Sequence, residues 1–340
     1  MKTSLQHCSI FAQCVLALFI IEPCWLSASA STQTAQPTQT FSQVDTLGLP
    51  PTIASQLKQD LKAHDYIAAE RSLLAEIRHD PHSPEAARLL QFLGGVYFLD
   101  GDAWNAAIAW NKAKAIAPLP PTLTFSLAMA YIRIGHPDWA RKALEELAGT
   151  DGKDALYPYW LGRLDYDAHD YDSAILQFQK AIRLAPDMAQ AFNNLGLCYY
   201  RQSRNYLAIV NYQKAIDLNL KSGQSDAWPY LNLALAERFL NQRSEAEAHL
   251  REAIRLDPDF ALAHFQLGNI LEDAGQTKDA ISQFQTAGRL APGYAEPHYA
   301  LSRIYRKLGD MAASKREVEA YLRIQHSQTH GLASSIPSHP

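Results

Sequence analysis

The sequence predicts an all-α protein built as a stack of helical hairpins. Three observations predict it. First, Leu93-Gly94, Leu127-Ala128, Leu161-Gly162 and Leu195-Gly196 recur every 34 residues, and Leu233-Ala234, Leu267-Gly268 and Leu301-Ser302 continue the series after a four-residue slip near residues 221–226. Second, small residues hold two fixed places in each period and a bulky residue holds a third. Third, the period is punctuated by helix-breaking residues at its middle and its end. A period of this length marks units that cannot bury their own apolar face alone and must stack on neighbours. Such a chain offers a surface to a partner more readily than a pocket for chemistry.

From the N-terminus, Lys2 precedes an apolar run at residues 10–21, and Ala28-Ser29-Ala30 follows with the small-x-small spacing of a signal-peptidase site. The run is shorter than the roughly 20 residues a membrane span needs. Residues 1–30 are therefore expected to be a cleaved secretory signal, which makes the protein exported, periplasmic or secreted. An uncleaved membrane anchor at residues 10–21 is the alternative, and acylation of Cys24 a third, with Ile21-Glu22-Pro23 unlike the usual preceding motif. On cleavage Cys8, Cys14 and Cys24 leave with the signal, so Cys198 has no partner for an internal disulfide. It is expected to pack as a small buried group. Residues 31–49 are rich in Ser, Thr and Gln without periodicity, as in a flexible leader.

The repeat region is expected over residues 50–328, in units 50–83, 87–120, 121–154, 155–188, 189–222, 227–260, 261–294 and 295–328. In the unit starting at Ala261, His264, Leu267-Gly268 and Leu271 keep the three-to-four spacing of one helix face. Gly275 ends that helix, Ala280, Phe284 and Ala287 carry a second, and Pro292 closes the unit. Position eight is Gly94, Ala128, Gly162, Gly196, Ala234, Gly268 or Ser302. Position twenty is Ala in seven units and Ser314 in the last. Small side chains there let paired helices approach. The bulky residue at position twenty-four (Leu73, Trp110, Leu144, Phe178, Tyr212, Leu250, Phe284, Val318) is expected to fill the space beside them. The end units are atypical: Gln56 and Leu57 stand where Leu-Gly is expected, and Ser314, Val318 and Tyr321 replace the usual Ala, aromatic and Ala. Residues 221–226 read as a longer loop at one joint. The segment 329–340 is expected to be a disordered tail.

At these positions the chain resembles the tetratricopeptide repeat family, and Phe192, Leu195-Gly196, Tyr199, Ala208, Tyr212 and Ala215 fit its pattern nearly throughout. The resemblance covers roughly four fifths of the chain. It implies a right-handed α-solenoid of about eight helix-turn-helix repeats, with positions two, five, six, nine, twelve and thirteen of each first helix lining a concave face. Carried over residue by residue, that face holds an aromatic group (Phe92, Phe98, Phe125, Tyr159, Trp160, Tyr166), a row of amides (Asn193, Asn194, Asn232, Gln266, Asn269) and arginines that include Arg163 and Arg201. Carboxamides supply donors and an acceptor that match an extended peptide backbone, aromatics supply anchors, and guanidinium groups grip carboxylates. The competing expectation is structural: amides serving neighbouring helices, aromatics filling the core between repeats, and arginines paired with Asp167, Glu237, Glu272, Asp273 and Glu296.

Composition narrows the function classes. A net charge of −4 gives no basic field for nucleic acid. No GxxxxGK, GxGxxG, HExxH or Gly-x-Ser-x-Gly occurs. His79 and His82, and His326 and His330, lack the further ligands of a metal site. No cofactor, metal or catalytic residue is expected. The reading is a non-enzymatic scaffold that binds a protein or peptide partner in the concave groove, with membrane contact only through an uncleaved signal. The alternative is an accessory subunit of an envelope assembly or enzyme complex that docks through its convex face or ends.

Overall fold

A computed structural model describes residues 43–334, with side chains to residue 328, so the signal segment and most of the leader lie outside the described residues. Sixteen helices form eight antiparallel hairpins, and no strand occurs among the described residues. The chain is an all-α helical-repeat solenoid. Its contacts divide at Asp187/Met188 into two compact units where the sequence predicts one domain. A repeat chain has no single core, because each repeat draws its stability from its immediate neighbours.

The first unit contains α1 (Pro51–Lys62), α2 (Tyr66–Ile77), α3 (Pro84–Leu99), α4 (Ala103–Ile116), α5 (Pro121–Arg133), α6 (Pro137–Thr150), α7 (Leu156–Asp167) and α8 (Tyr171–Leu184). The second contains α9 (Ala189–Arg201), α10 (Asn205–Ser222), α11 (Trp228–Phe239), α12 (Arg243–Leu256), α13 (Ala261–Asp273), α14 (Thr277–Leu290), α15 (Glu296–Lys307) and α16 (Met311–Ser334).

All eight hairpin turns have one geometry. Position fifteen is left-handed in every unit, with φ of +56° to +86° at His64, Gly101, Gly135, His169, Ser203, Asn241, Gly275 and Gly309. The next N–H reaches back five residues to a carbonyl of the first helix at 2.8–3.0 Å, as in Asp102 to Tyr97 and Gln276 to Leu271. This closes the helix end with the paired bonds of a Schellman motif. Half of the turns lack glycine, which hides their identity from a search for Gly. In four units an Asp follows and caps the second helix: Asp65, Asp102, Asp170 and Asp310 accept from the N–H three residues on at 2.9–3.1 Å.

Packing explains the coupled choice at positions eight and twenty-four. Where position eight is Gly, position twenty-four is aromatic: Gly94 with Trp110, Gly162 with Phe178, Gly196 with Tyr212, Gly268 with Phe284. Where it is Ala, the partner is Leu: Ala128 with Leu144, Ala234 with Leu250. A Cβ on Gly196 or Gly268 would lie 2.6 or 2.7 Å from the facing ring. These four aromatics are among the largest fully buried side chains, and Trp110 also donates Nε1–H to the Gln91 carbonyl at 2.9 Å.

The ends depart from the sequence reading. Val44 and Leu47, expected in a flexible leader, are buried against Leu57, Leu61 and Leu73, and Lys58 pairs with Asp45 at 2.6 Å. They cover apolar surface of the first described repeat. Their signal is invisible as periodicity because it is two aliphatic residues in a polar stretch. At the other end α16 runs to Ser334, past the predicted boundary at 328, and Gln328 Nε2 donates to the Gly293 carbonyl at 2.9 Å. Val318 does not fill the core as predicted for position twenty-four: it is 41% exposed, while Ser314 Oγ bonds the Ser302 carbonyl behind it at 2.9 Å. Among the described residues no helix is long and apolar enough to cross a membrane.

Candidate partner-binding face

The predicted face lies on the first helix of each repeat, and the two units are described separately. In the first unit the aromatic residues are largely absorbed by packing. Phe92 is buried in the core formed with Leu89, Leu93 and Leu73, so it presents no anchor. Position six of this unit points between helices because Leu89, Leu90, Phe92, Leu93 and Val96 of α3 are all buried together. Phe98 is half-buried beneath Arg133, whose guanidinium carbon lies 5.1 Å above the ring. Phe125 meets Tyr157, with ring centroids 6.1 Å apart. Tyr159 stands edge-on to Trp160 at 5.7 Å and also approaches Phe178 at 5.9 Å. Both α7 aromatics are half-buried. Arg163 lies near enough to Asp167 for its charge to oppose the burial that pushes the Asp167 carboxyl up.

In the second unit the amides join neighbouring first helices. Asn232 Nδ2 on α11 donates to Asn193 Oδ1 on α9 at 3.0 Å, and both Asn194 and Asn232 are buried. Arg238 Nη1 on α11 donates to Gln266 Oε1 on α13 at 3.0 Å, and Asn269 Nδ2 reaches the same oxygen at 3.4 Å. Glu272 on α13 accepts from Arg303 on α15 at 2.6 Å and from Lys307 at 3.4 Å. The structure thus brings together Asn193 with Asn232, and Gln266 with Asn269. The Asn232–Asn193 and Arg238–Gln266 bonds run between repeats, while the Asn269–Gln266 bond lies within α13. Arg201 is half-buried at the end of α9.

Two residues that sequence reasoning passed over stand out on the same helices. Phe239 on α11 is 61% exposed and Tyr299 on α15 is 53% exposed. They occupy positions thirteen and five, both among the positions the resemblance assigns to the face, so the register alone could have found them. A further missed layer is position eleven, which ties repeats together. Tyr97 Oη donates to Glu70 at 2.6 Å, Asn111 Nδ2 donates to Tyr131 Oη at 2.7 Å, and Gln285 Nε2 donates to Tyr305 Oη at 3.1 Å. In the unit where position eleven is Asp165, Arg141 from the previous repeat pairs with it at 2.7 Å. Cys198 is buried. Among the described residues no group of three or more His, Cys, Asp or Glu is placed to hold a metal ion.

Tetratricopeptide repeat family models match residues 187–259, 231–295 and 266–325, and a TPR repeat model matches 162–203. The BBSome complex member BBS4 of Bos taurus is 24% identical over 230 residues, covering 57% of this chain and 43% of that protein. The protein O-mannosyl-transferase TMTC1 of Homo sapiens is 28% identical over 189 residues, covering 54% of this chain and 21% of that protein. The chain therefore spans less than half the length of these relatives. Among solved structures, the APC/C hetero-tetramer Cut9-Hcn1 superposes with a TM-score of 0.57 at 18% identity, over 81% of this chain and 57% of that one. That likeness concerns the fold.

Proposed function

Because the chain belongs to the tetratricopeptide repeat family, we propose that this protein–protein interaction scaffold holds an extended segment of its partner against the first helices of its repeats. The observation that supports this reading is the pairing of exposed aromatics with polar groups in the second unit. Phe239 is exposed on α11 beside the half-buried Arg238, Tyr299 is exposed on α15, and the first helix of the repeat between them, α13, carries the half-buried amides of Gln266 and Asn269. Each carboxamide offers two N–H donors and an acceptor, and the bonds between repeats use only part of that capacity. An aromatic or aliphatic anchor of the segment would pack on Phe239 or Tyr299, and its backbone would bond the remaining donors and acceptors. The test is a phage-displayed peptide library panned on the full chain. Selected peptides should share an apolar anchor and lose at least tenfold in affinity on Phe239→Ala plus Tyr299→Ala. Equal binding to that double variant refutes the first-helix face as the working surface.

Export is part of the same proposal and is supported by Lys2, the apolar run at 10–21 and Ala28-Ser29-Ala30. N-terminal sequencing of the protein from its native host should give Ser31 as the first residue. An intact Met1 on a cytosolic protein refutes it. The scaffold is read as non-enzymatic, and the transferase name of one relative belongs to that protein.

A second reading, docking through the second helices, is favoured by one observation. In the second unit Tyr206 and Val210 on α10 are 74% and 64% exposed, beside a groove of about 580 Å³ lined by Phe192, Val210, Leu233 and Glu237. Binding lost on Tyr206→Ala plus Val210→Ala, and kept on the first-helix double variant, selects it.

A further inference from the structure

The four-residue break in the 34-residue period at residues 221–226 builds a pocket. Residues 221–226 lengthen the joint between α10 and α11, and α10 runs to Ser222 before Gly223 turns the chain at φ +69°. The loop and the ends of α10, α11 and α12 enclose a pocket of about 180 Å³, several times the roughly 30 Å³ share of one water in the liquid.

Its polar lining is unevenly satisfied. Asn219 is only 6% exposed, and its side-chain carboxamide has no hydrogen-bond partner, although its backbone carbonyl accepts from Gln224 N–H at 2.9 Å. The polar atoms of that carboxamide stay in contact with the open space of the pocket, so a group seated there can take up the bonds that water otherwise makes. Asp226 accepts the Trp228 N–H through Oδ1 at 3.0 Å, which starts α11 and leaves Oδ2 for the pocket. Glu252 and Arg255 neutralise each other in a two-point pair at 2.6 and 2.8 Å. The charge left over is the Asp226 carboxylate. Ile216, Leu220 and Leu256 form the apolar part of the wall.

We propose that this pocket binds a primary alkylammonium group, its three N–H donors shared between Asp226 Oδ2 and the Asn219 carboxamide oxygen and its alkyl chain lying along Ile216 and Leu256. A carboxylate and an amide oxygen are acceptors, and an ammonium is the donor-only group that satisfies both while cancelling the net charge. An anion would meet the Asp226 carboxylate, and the nearby guanidinium is already engaged. Burial pushes the Asp226 carboxyl up, against the pull of the Trp228 N–H, and a bound cation relieves that burial penalty. The proposal is independent of the first-helix face.

The experiment titrates n-butylamine into the isotope-labelled full chain and follows the Trp228 backbone amide, which reports directly on Asp226. Saturable shifts are expected with n-butylamine, with n-butanol and butyrate at least tenfold weaker. Asp226→Asn keeps an oxygen to cap α11 and should weaken n-butylamine at least tenfold at unchanged helicity. Asn219→Leu should abolish binding by filling the space. The absence of saturable binding, equal binding of n-butanol, or an unchanged affinity in Asp226→Asn each overturns the proposal. A lysine blocked at both backbone ends separates the sources. Binding within about threefold of n-butylamine identifies a partner's lysine side chain, and exclusion of the blocked lysine identifies a free small amine.

Discussion

Replacing Gly268 with alanine places a methyl group 2.7 and 2.8 Å from two ring carbons of Phe284. Ordinary carbon contacts begin near 3.5 Å, and Phe284 is fully buried with no room to retreat. Overpacking of this kind costs about 1–3 kcal/mol. Removing a glycine from the interior of α13 returns about 0.5–1 kcal/mol. The single variant should therefore lose about 1–2 kcal/mol. In a Phe284→Leu background the ring is gone and the pair becomes Ala with Leu, the combination already present at Ala128/Leu144 and Ala234/Leu250. There the same Gly268→Ala change should be neutral or stabilising, giving a coupling of about 1–3 kcal/mol in a double-mutant cycle. Global melting averages over units that can open separately in a repeat chain. Native-state hydrogen exchange of the α13 and α14 amides reads the local opening free energy instead. About tenfold faster exchange is expected for Gly268→Ala, since 1.4 kcal/mol is a factor of ten. Additive effects within about 0.5 kcal/mol, or slower exchange in Gly268→Ala alone, would refute the packing argument.

Three further outcomes are expected. Ser203→Gly should raise the denaturation midpoint, because Ser203 sits at φ +60°, where a side chain costs about 1–2 kcal/mol and glycine's extra chain entropy offsets about half; an unchanged or lower midpoint counts against strain at that turn. Arg141→Ala leaves the 5%-exposed Asp165 carboxylate unpaired and should cost about 1–3 kcal/mol, with most of it recovered by adding Asp165→Asn; failure to recover would mean that Arg141 acts through packing. Glu296 is pushed above its ordinary 4.5 by burial, and its Oε2 is buried without a partner. The folded state therefore holds that proton more tightly than the unfolded one, and its contribution falls as pH rises from 4.5 through the raised value. Glu296→Gln should raise the thermal midpoint at pH 7 and leave it unchanged near pH 3.5; an equal gain at both pH values would contradict the linkage.

The repeat architecture was legible because two constraints are local. The 3.6-residue spacing of Leu267, Gly268 and Leu271, and the small residue facing position twenty-four, must recur wherever a helix hairpin closes. The turns were only half legible: the left-handed position is marked by glycine in four units, while His64, His169, Ser203 and Asn241 adopt the same backbone without announcing it. The candidate face was legible in register and not in exposure. Phe92 and Phe239 occupy neighbouring classes of position on first helices, yet one is buried and the other 61% exposed. That difference depends on which side chains of the adjoining repeat cover them, and a single repeat's spacing does not contain it. The same holds for Asn232, whose partner Asn193 lies 39 residues away. The pocket at the period's interruption was read from sequence as a longer loop, since its walls come from three helices.

The seating of Val44 and Leu47 bears on how the chain is made. In each hairpin the bond that closes the turn runs backwards along the chain, from position sixteen to position eleven, so a repeat has its turn in hand as soon as its second helix emerges. The two aliphatic residues at the start are different: they appear first and find their counterparts only when Leu57, Leu61 and Leu73 have followed. Synthesis from the N-terminus thus leaves this pair waiting for about thirty residues, and a truncation placed after residue 47 would deliver a first repeat whose apolar surface never meets the segment meant to cover it.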